Sequence, residues 1–104
     1  MAKLKMYLLV REVIPMGFAI NSVGHASLAC YLKYKDDPLM IEWLATSFAK
    51  VTCSVTEEQF SDALLCGLDN VLITESALQG QPVVLAFCPR ASYPPEFKSF
   101  KLFR

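Results

Sequence analysis

The only histidine in the chain, His25, lies in the stretch MGFAINSVGHASLAC, residues 16–30. An imidazole that titrates near neutral pH is the usual general base or proton shuttle, provided a carboxylate or amide orients it. Asn21 stands four positions earlier, one helical turn away, on the face that His25 would share. Two roles fit this pattern. His25 is either a catalytic imidazole on a helix, or a structural one that fills a gap between packed elements and bonds to backbone or to Asn21. The four cysteines, Cys30, Cys53, Cys66 and Cys88, offer a thiol nucleophile as a third chemistry. They form no CxxC pair and sit among apolar neighbours such as LLC and LAFC. That pattern predicts buried free thiols in a reducing compartment, not a metal centre or a redox pair. No metal ligand set and no cofactor motif is present in the sequence.

The elements that position these residues follow from periodicity. With 104 residues the chain is read as one domain, residues 1–104, with one core. Residues 4–14, LKMYLLVREVI, read as a buried strand that stops at Pro15. Pro15-Met16-Gly17 makes a turn, and a helix follows from about Ala19 to Tyr34. Gly24 inside it costs about 1 kcal/mol of helix propensity, and is tolerated more readily if another backbone packs close against it. Asp37-Pro38 has the form of a helix start, and PLMIEWLATSF then makes about three turns with Trp43 turned to the core.

AKVTCSV alternates as a strand, and Thr56-Glu57-Glu58-Gln59 is a capping box for a third helix that ends at Gly67. NVLITES and PVVLAFCP are two more strands, separated by the loop SALQGQP. The tail YPPEFKSFKLFR spaces Phe97, Phe100 and Phe103 by three, as in a short helix or a packed extended tail. Strands separated by helices imply mostly parallel pairing, with one antiparallel pair at the short last connection. The predicted architecture is α/β: a three-layer α/β/α sandwich around a four-stranded mixed sheet.

Charge and hydropathy bound the function. Ten basic and ten acidic residues cancel, so the chain as a whole lacks the basic excess of a general nucleic-acid binder. Lys3, Lys5 and Arg11 lie early and Arg90, Lys98, Lys101 and Arg104 lie late, so a local basic patch forms if the two ends meet. No apolar run reaches the roughly 20 residues of a membrane span. Arg11 and Glu12 stand where a signal-peptide cleavage site would follow the apolar start. The expected location is cytoplasmic. A hydrophobic content of 54% favours a buried sheet and an apolar surface that supports a homodimer.

Several strings together resemble the type 2 peptidyl-tRNA hydrolase family. KMYLLVREVIPMG is similar to that family's first strand and turn, AINSVGHASLA to its following helix, AKVTCSVTEEQFSDAL to its next strand and helix, and VLITES with PVVLAFCP to its last two strands. The likeness covers nearly the whole chain. It is strongest to a divergent branch, the peptidyl-tRNA hydrolase domain-containing proteins and related bacterial domains of unassigned function, which also end in a basic-aromatic tail like KSFKLFR.

The resemblance implies hydrolysis of the ester that joins a peptide to the 3′ ribose of tRNA. It places His25 at the family's histidine and Glu75 at an acidic position that ends the third strand, as the catalytic pair. It places Gly17, Phe18, Asn21 and Ser22 along the substrate, with Ser22 at a glutamine position. The family's Gly-Lys-Gly-Lys stretch is here Gly17-Phe18-Ala19-Ile20, so both lysines are absent, and the loop SALQGQP lacks the family's threonine. Two functions are therefore carried forward. One is a tRNA or small-ligand binding module without the full catalytic set. The other is an active carboxylic ester hydrolase using His25 and Glu75.

Overall fold

The computed structural model describes residues 3–104. β1 (Lys5–Arg11) is buried at every position from Met6 to Val10, because it runs through the middle of the sheet with both faces covered. Pro15 then sets the N-terminal boundary of α1 (Met16–Tyr34), which begins three residues earlier than the sequence predicts. α2 (Pro38–Ala45) starts where Asp37 accepts the Leu39 N–H at 2.8 Å with Pro38 in the first position. It stops after eight residues, shorter than the predicted helix. The chain turns there through Phe48 at φ 51, and the Thr46 hydroxyl bonds back to the Glu42 carbonyl at 2.7 Å.

β2 (Ala49–Val55) leads into α3 (Glu57–Leu64), whose capping box is complete: Thr56 and Gln59 each satisfy the other's backbone N–H. α3 is capped at Leu65, two residues before the predicted cap, Gly67, which lies at φ 87 in the turn beyond it. β3 (Asn70–Glu75) and β4 (Gln81–Phe87) form an antiparallel hairpin, joined by a 3₁₀ turn over Ser76–Leu78 with Gln79 and Gly80 both at positive φ. The tail folds as a 3₁₀ helix, Pro95–Ser99, followed by β5 (Lys101–Leu102).

The sheet has five strands in the order β3-β4-β1-β2-β5, not the four expected. The extra strand is the tail itself, held by pairing of Cys53 with Leu102 and of Ser54 with Lys101. Among the described residues only β1 and β2 run parallel, which corrects the expectation of mostly parallel pairing. Chain reversals within the β3–β4 hairpin and at the tail make the other pairs antiparallel.

Two cores result. On one face α1 and α2 bury Ala19, Ala26, Cys30, Met40 and Trp43 against Met6, Leu8 and Val10. On the other face α3 and the tail bury Phe60, Ala63, Phe97 and Phe100 against Leu9, Leu85 and Phe87. This is the expected α/β/α layering. Trp43 is in the core as predicted, and its indole N–H donates to the Ala49 carbonyl at 2.8 Å. Among the described residues no backbone packs on Gly24: a Cβ there would meet nothing within 4 Å.

Candidate functional site

The carboxyl ends of the parallel strands β1 and β2 and the β3–β4 turn all lie at one end of the sheet. In α/β folds this end presents groups to ligands, because the loops and helix starts that leave it surround a crevice. Arg11, the last residue of β1, organises it. Its Nε donates to Glu57 Oε1 at 2.5 Å and its Nη1 to the Pro82 carbonyl at 2.7 Å and to Gln81 Oε1 at 3.5 Å. Gln81 is the register partner of Glu75. A polar row therefore crosses the sheet end, Glu75 beside Gln81, then Arg11, then Glu57. The sequence reading missed Arg11 as an organiser. The available signal was its place as the last polar residue of a buried strand, just before the Pro15 turn.

Glu75 is half-buried and caps the 3₁₀ turn that follows it, accepting the Ala77 N–H at 3.1 Å. It is neither the freely solvated loop acid nor the partner of an imidazole. His25 is exposed on α1, with no hydrogen bond or ion pair among the described residues. The gap-filling role expected as one alternative is thereby corrected: α1 buries Ala19, Ser22, Ala26 and Cys30, and His25 falls off that stripe. At 100° per residue His25 lies about 160° from Ser27. Ser27, with Val23, Leu28 and Tyr31, lines a groove against Trp43, Leu44 and Phe48 of about 380 Å3, and His25 is not among its lining residues.

Asn21 is exposed and makes no bond to His25, and Gly17 is exposed in the first turn. Phe18 is half-buried against the α1-side core. Ser22 is fully buried, and its Oγ has no hydrogen-bond partner among the described residues.

The basic residues of the two chain ends form no single patch. Lys5 exchanges both backbone bonds with Arg90 at one end of the sheet. Lys101 and Arg104 lie at the other end, lining a cavity of about 200 Å3 with Glu12, Met16 and Ser54. This cavity touches the first residue of α1, whose N-terminus has no side-chain cap and no acidic residue in its first turn. Neither Lys101 nor Arg104 forms a salt bridge among the described residues. Cations thus reach the start of α1 from the tail, although Gly17-Phe18-Ala19-Ile20 carries none.

Thiol chemistry is disfavoured. Cys30, Cys53 and Cys88 are buried, and Cys66 is half-buried. Burial pushes the Cys30 thiol up to about 12, with a further rise from Cys88 and an opposing pull from Lys33. Burial also pushes Cys53 to about 11 and, with Asp37 and Asp69 adding, Cys88 to about 12. Such thiols stay protonated and are poor nucleophiles. Among the described residues no cluster of His, Cys, Asp and Glu could hold a metal, and no helix is long and apolar enough to cross a membrane.

Comparison with known proteins agrees with this architecture. A search of curated proteins found no match. The family model described as peptidyl-tRNA hydrolase PTH2 matches residues 4–93, from the start of β1 through β4 to Tyr93. With the strand order and the helices in place over that whole span, the chain belongs to the type 2 peptidyl-tRNA hydrolase family.

Proposed function

We propose that this member of the family, of its divergent branch, works in the cytoplasm as a tRNA-binding module rather than through a His25–Glu75 catalytic pair. One observation carries the reading: the Glu75 carboxylate is already bonded to the Ala77 N–H, while His25 stands exposed and unpartnered among the described residues. Water activation needs a base whose orientation and basicity are set by a second group. Phosphate binding needs only cations at the right surface. Lys101 and Arg104, beside the first turn of α1, meet that need. Gly17 and Asn21 lie exposed on the first turns of the same helix, where a bound ligand would reach them.

The test pairs release with retention. Wild-type protein, His25→Ala and Glu75→Gln are incubated with labelled peptidyl-tRNA, and the same tRNA is passed over each at low salt. Binding without His25-dependent release is the expected result, with retention weakened in the Lys101→Gln/Arg104→Gln variant. Release that is lost in His25→Ala overturns the reading. It would establish the second one, favoured by the family match itself: an active hydrolase in which His25 and Glu75 act together.

The homodimer finds support in exposed aliphatic side chains on α1 and α2. Ile20, Leu28, Leu32, Ile41 and Leu44 are all more than 40% exposed. A dimer mass by light scattering at micromolar concentration is expected, and a monomer mass removes it.

A further inference from the structure

At the end of the sheet where β1 begins, a cavity of about 160 Å3 is lined by Lys5, Tyr7, Ser92, Tyr93, Phe97 and Lys98. Along β1 its Lys5 lies about 20 Å and its Tyr7 about 13 Å from Arg11. Its lining includes two lysines and no carboxylate residue, and neither lysine forms a salt bridge among the described residues. The Lys101 cavity, by contrast, contains Glu12. Like charges gathered at one concavity raise the local potential and favour an anion.

The walls are held firmly. The Tyr93 hydroxyl donates to the Lys5 carbonyl at 2.7 Å, and its ring stacks on Phe97 at 5.1 Å and meets Tyr7 at 4.5 Å. Arg90 adds positive charge nearby, with its guanidinium 5.8 Å from the Tyr93 ring centre. Tyr7 is only 9% exposed, and its hydroxyl, which bonds to no described residue, still reaches solvent at the cavity. Burial raises the Tyr7 phenol above its ordinary value, so the hydroxyl keeps its proton and remains a donor at neutral pH.

We propose that this cavity is a second ligand site that takes a phosphomonoester, its phosphate held between the Lys5 and Lys98 ammonium groups and accepting a hydrogen bond from the Tyr7 hydroxyl. A monoester fits better than a diester because its charge near neutrality, about −1.5 to −2, matches two ammonium groups. The site goes beyond the tRNA reading above and does not depend on it, since it shares no residue with the Lys101 and Arg104 cavity.

The experiment is an NMR titration of the full chain with inorganic phosphate, with adenosine monophosphate, and with a short oligoribonucleotide that lacks terminal phosphates. Saturable shifts at Lys5, Tyr7, Ser92, Tyr93 and Lys98 are expected with the first two probes. Binding should weaken at least tenfold in Lys5→Gln/Lys98→Gln and several-fold in Tyr7→Phe, which keeps the ring and so the fold. Lys101→Gln/Arg104→Gln should leave it unchanged. Non-saturating shifts spread over all surface lysines, or unchanged affinity in the Lys5→Gln/Lys98→Gln protein, overturn the site. Equal binding of the oligoribonucleotide at these residues overturns the monoester assignment.

Discussion

Arg11 and Glu57 form the one salt bridge among the described residues, with Nε 2.5 Å from Oε1. The two partners differ in environment: the Arg11 side chain is 13% exposed and the Glu57 side chain 65%. Arg11 is therefore the fixed member. It ties the end of β1 to the start of α3 through Glu57 and to the start of β4 through the Pro82 carbonyl. Three elements meeting at one guanidinium give the sheet end a rigid polar centre, and α3 gains a carboxylate in its first turn, where the helix dipole favours it.

Arg11→Ala should lower unfolding stability by about 2 kcal/mol, as expected for losing charge-assisted hydrogen bonds to a largely buried guanidinium. Glu57→Gln should cost less than about 1 kcal/mol, because that carboxylate is mostly solvated. Urea midpoints of the two variants give the comparison. Equal losses would mean that the ion pair itself, not the Pro82 bond, carries the stability.

The capping box makes a second, local prediction. Thr56→Ala should cost about 1 kcal/mol, since it leaves the Gln59 N–H at the start of α3 without its acceptor, now 3.1 Å from Thr56 Oγ1. Gln59→Ala should cost less on its own. A double-mutant cycle should show the two effects to be less than additive, because each residue positions the other. Strict additivity would show that the reciprocal bonds act independently.

These local features were legible in the sequence, and the reason is physical. A cap is decided by residues three apart, so Thr56 with Gln59, and Asp37 with Pro38, announce themselves without tertiary information. Trp43 and the buried runs of β1 and β4 were legible for the same reason, since their apolar density fixes their side of the fold. β5 was not, because two residues, Lys101 and Leu102, have no period of their own and become a strand only by pairing with Ser54 and Cys53. The exposure of His25 was hidden too. α1 carries apolar residues all round, with Ile20, Leu28 and Leu32 exposed, so its buried face could not be read from the pattern. Arg11 as an organiser depends on Glu57 and Pro82, 46 and 71 residues away, which no local rule connects.

The thiols predict a pH dependence whose sign follows from burial. Folding raises Cys53 to about 11 and Cys30 and Cys88 to about 12, from an ordinary 9.0. A group raised on folding contributes stability that is fully present below its unfolded value and is lost as pH climbs toward its folded value. Stability should therefore hold to about pH 9 and fall steadily between pH 9 and 12. In the same picture iodoacetamide at pH 8 should alkylate Cys66 alone in the folded protein and all four cysteines in urea. Rapid labelling of Cys30, Cys53 or Cys88 without denaturant would contradict their burial.

Gly24 offers the sharpest contrast between a packing role and a merely tolerated residue. It sits in the middle of α1, lines the groove between α1 and α2, and has open space where a Cβ would stand. Its backbone is helical, so alanine fits without strain. Replacing glycine by alanine in an exposed helix interior stabilises by up to about 1 kcal/mol, chiefly by restricting the unfolded chain. For a domain of this size that is a rise in Tm of up to about 4–8 °C. If the groove holds a partner backbone in a dimer, the added methyl group meets that backbone instead. Tm would then fall and become more dependent on protein concentration. Thermal scans of wild type and Gly24→Ala at two concentrations separate the outcomes: a rise at both is expected from the open space above Gly24, and a fall would place a second chain's backbone against Gly24 in the groove.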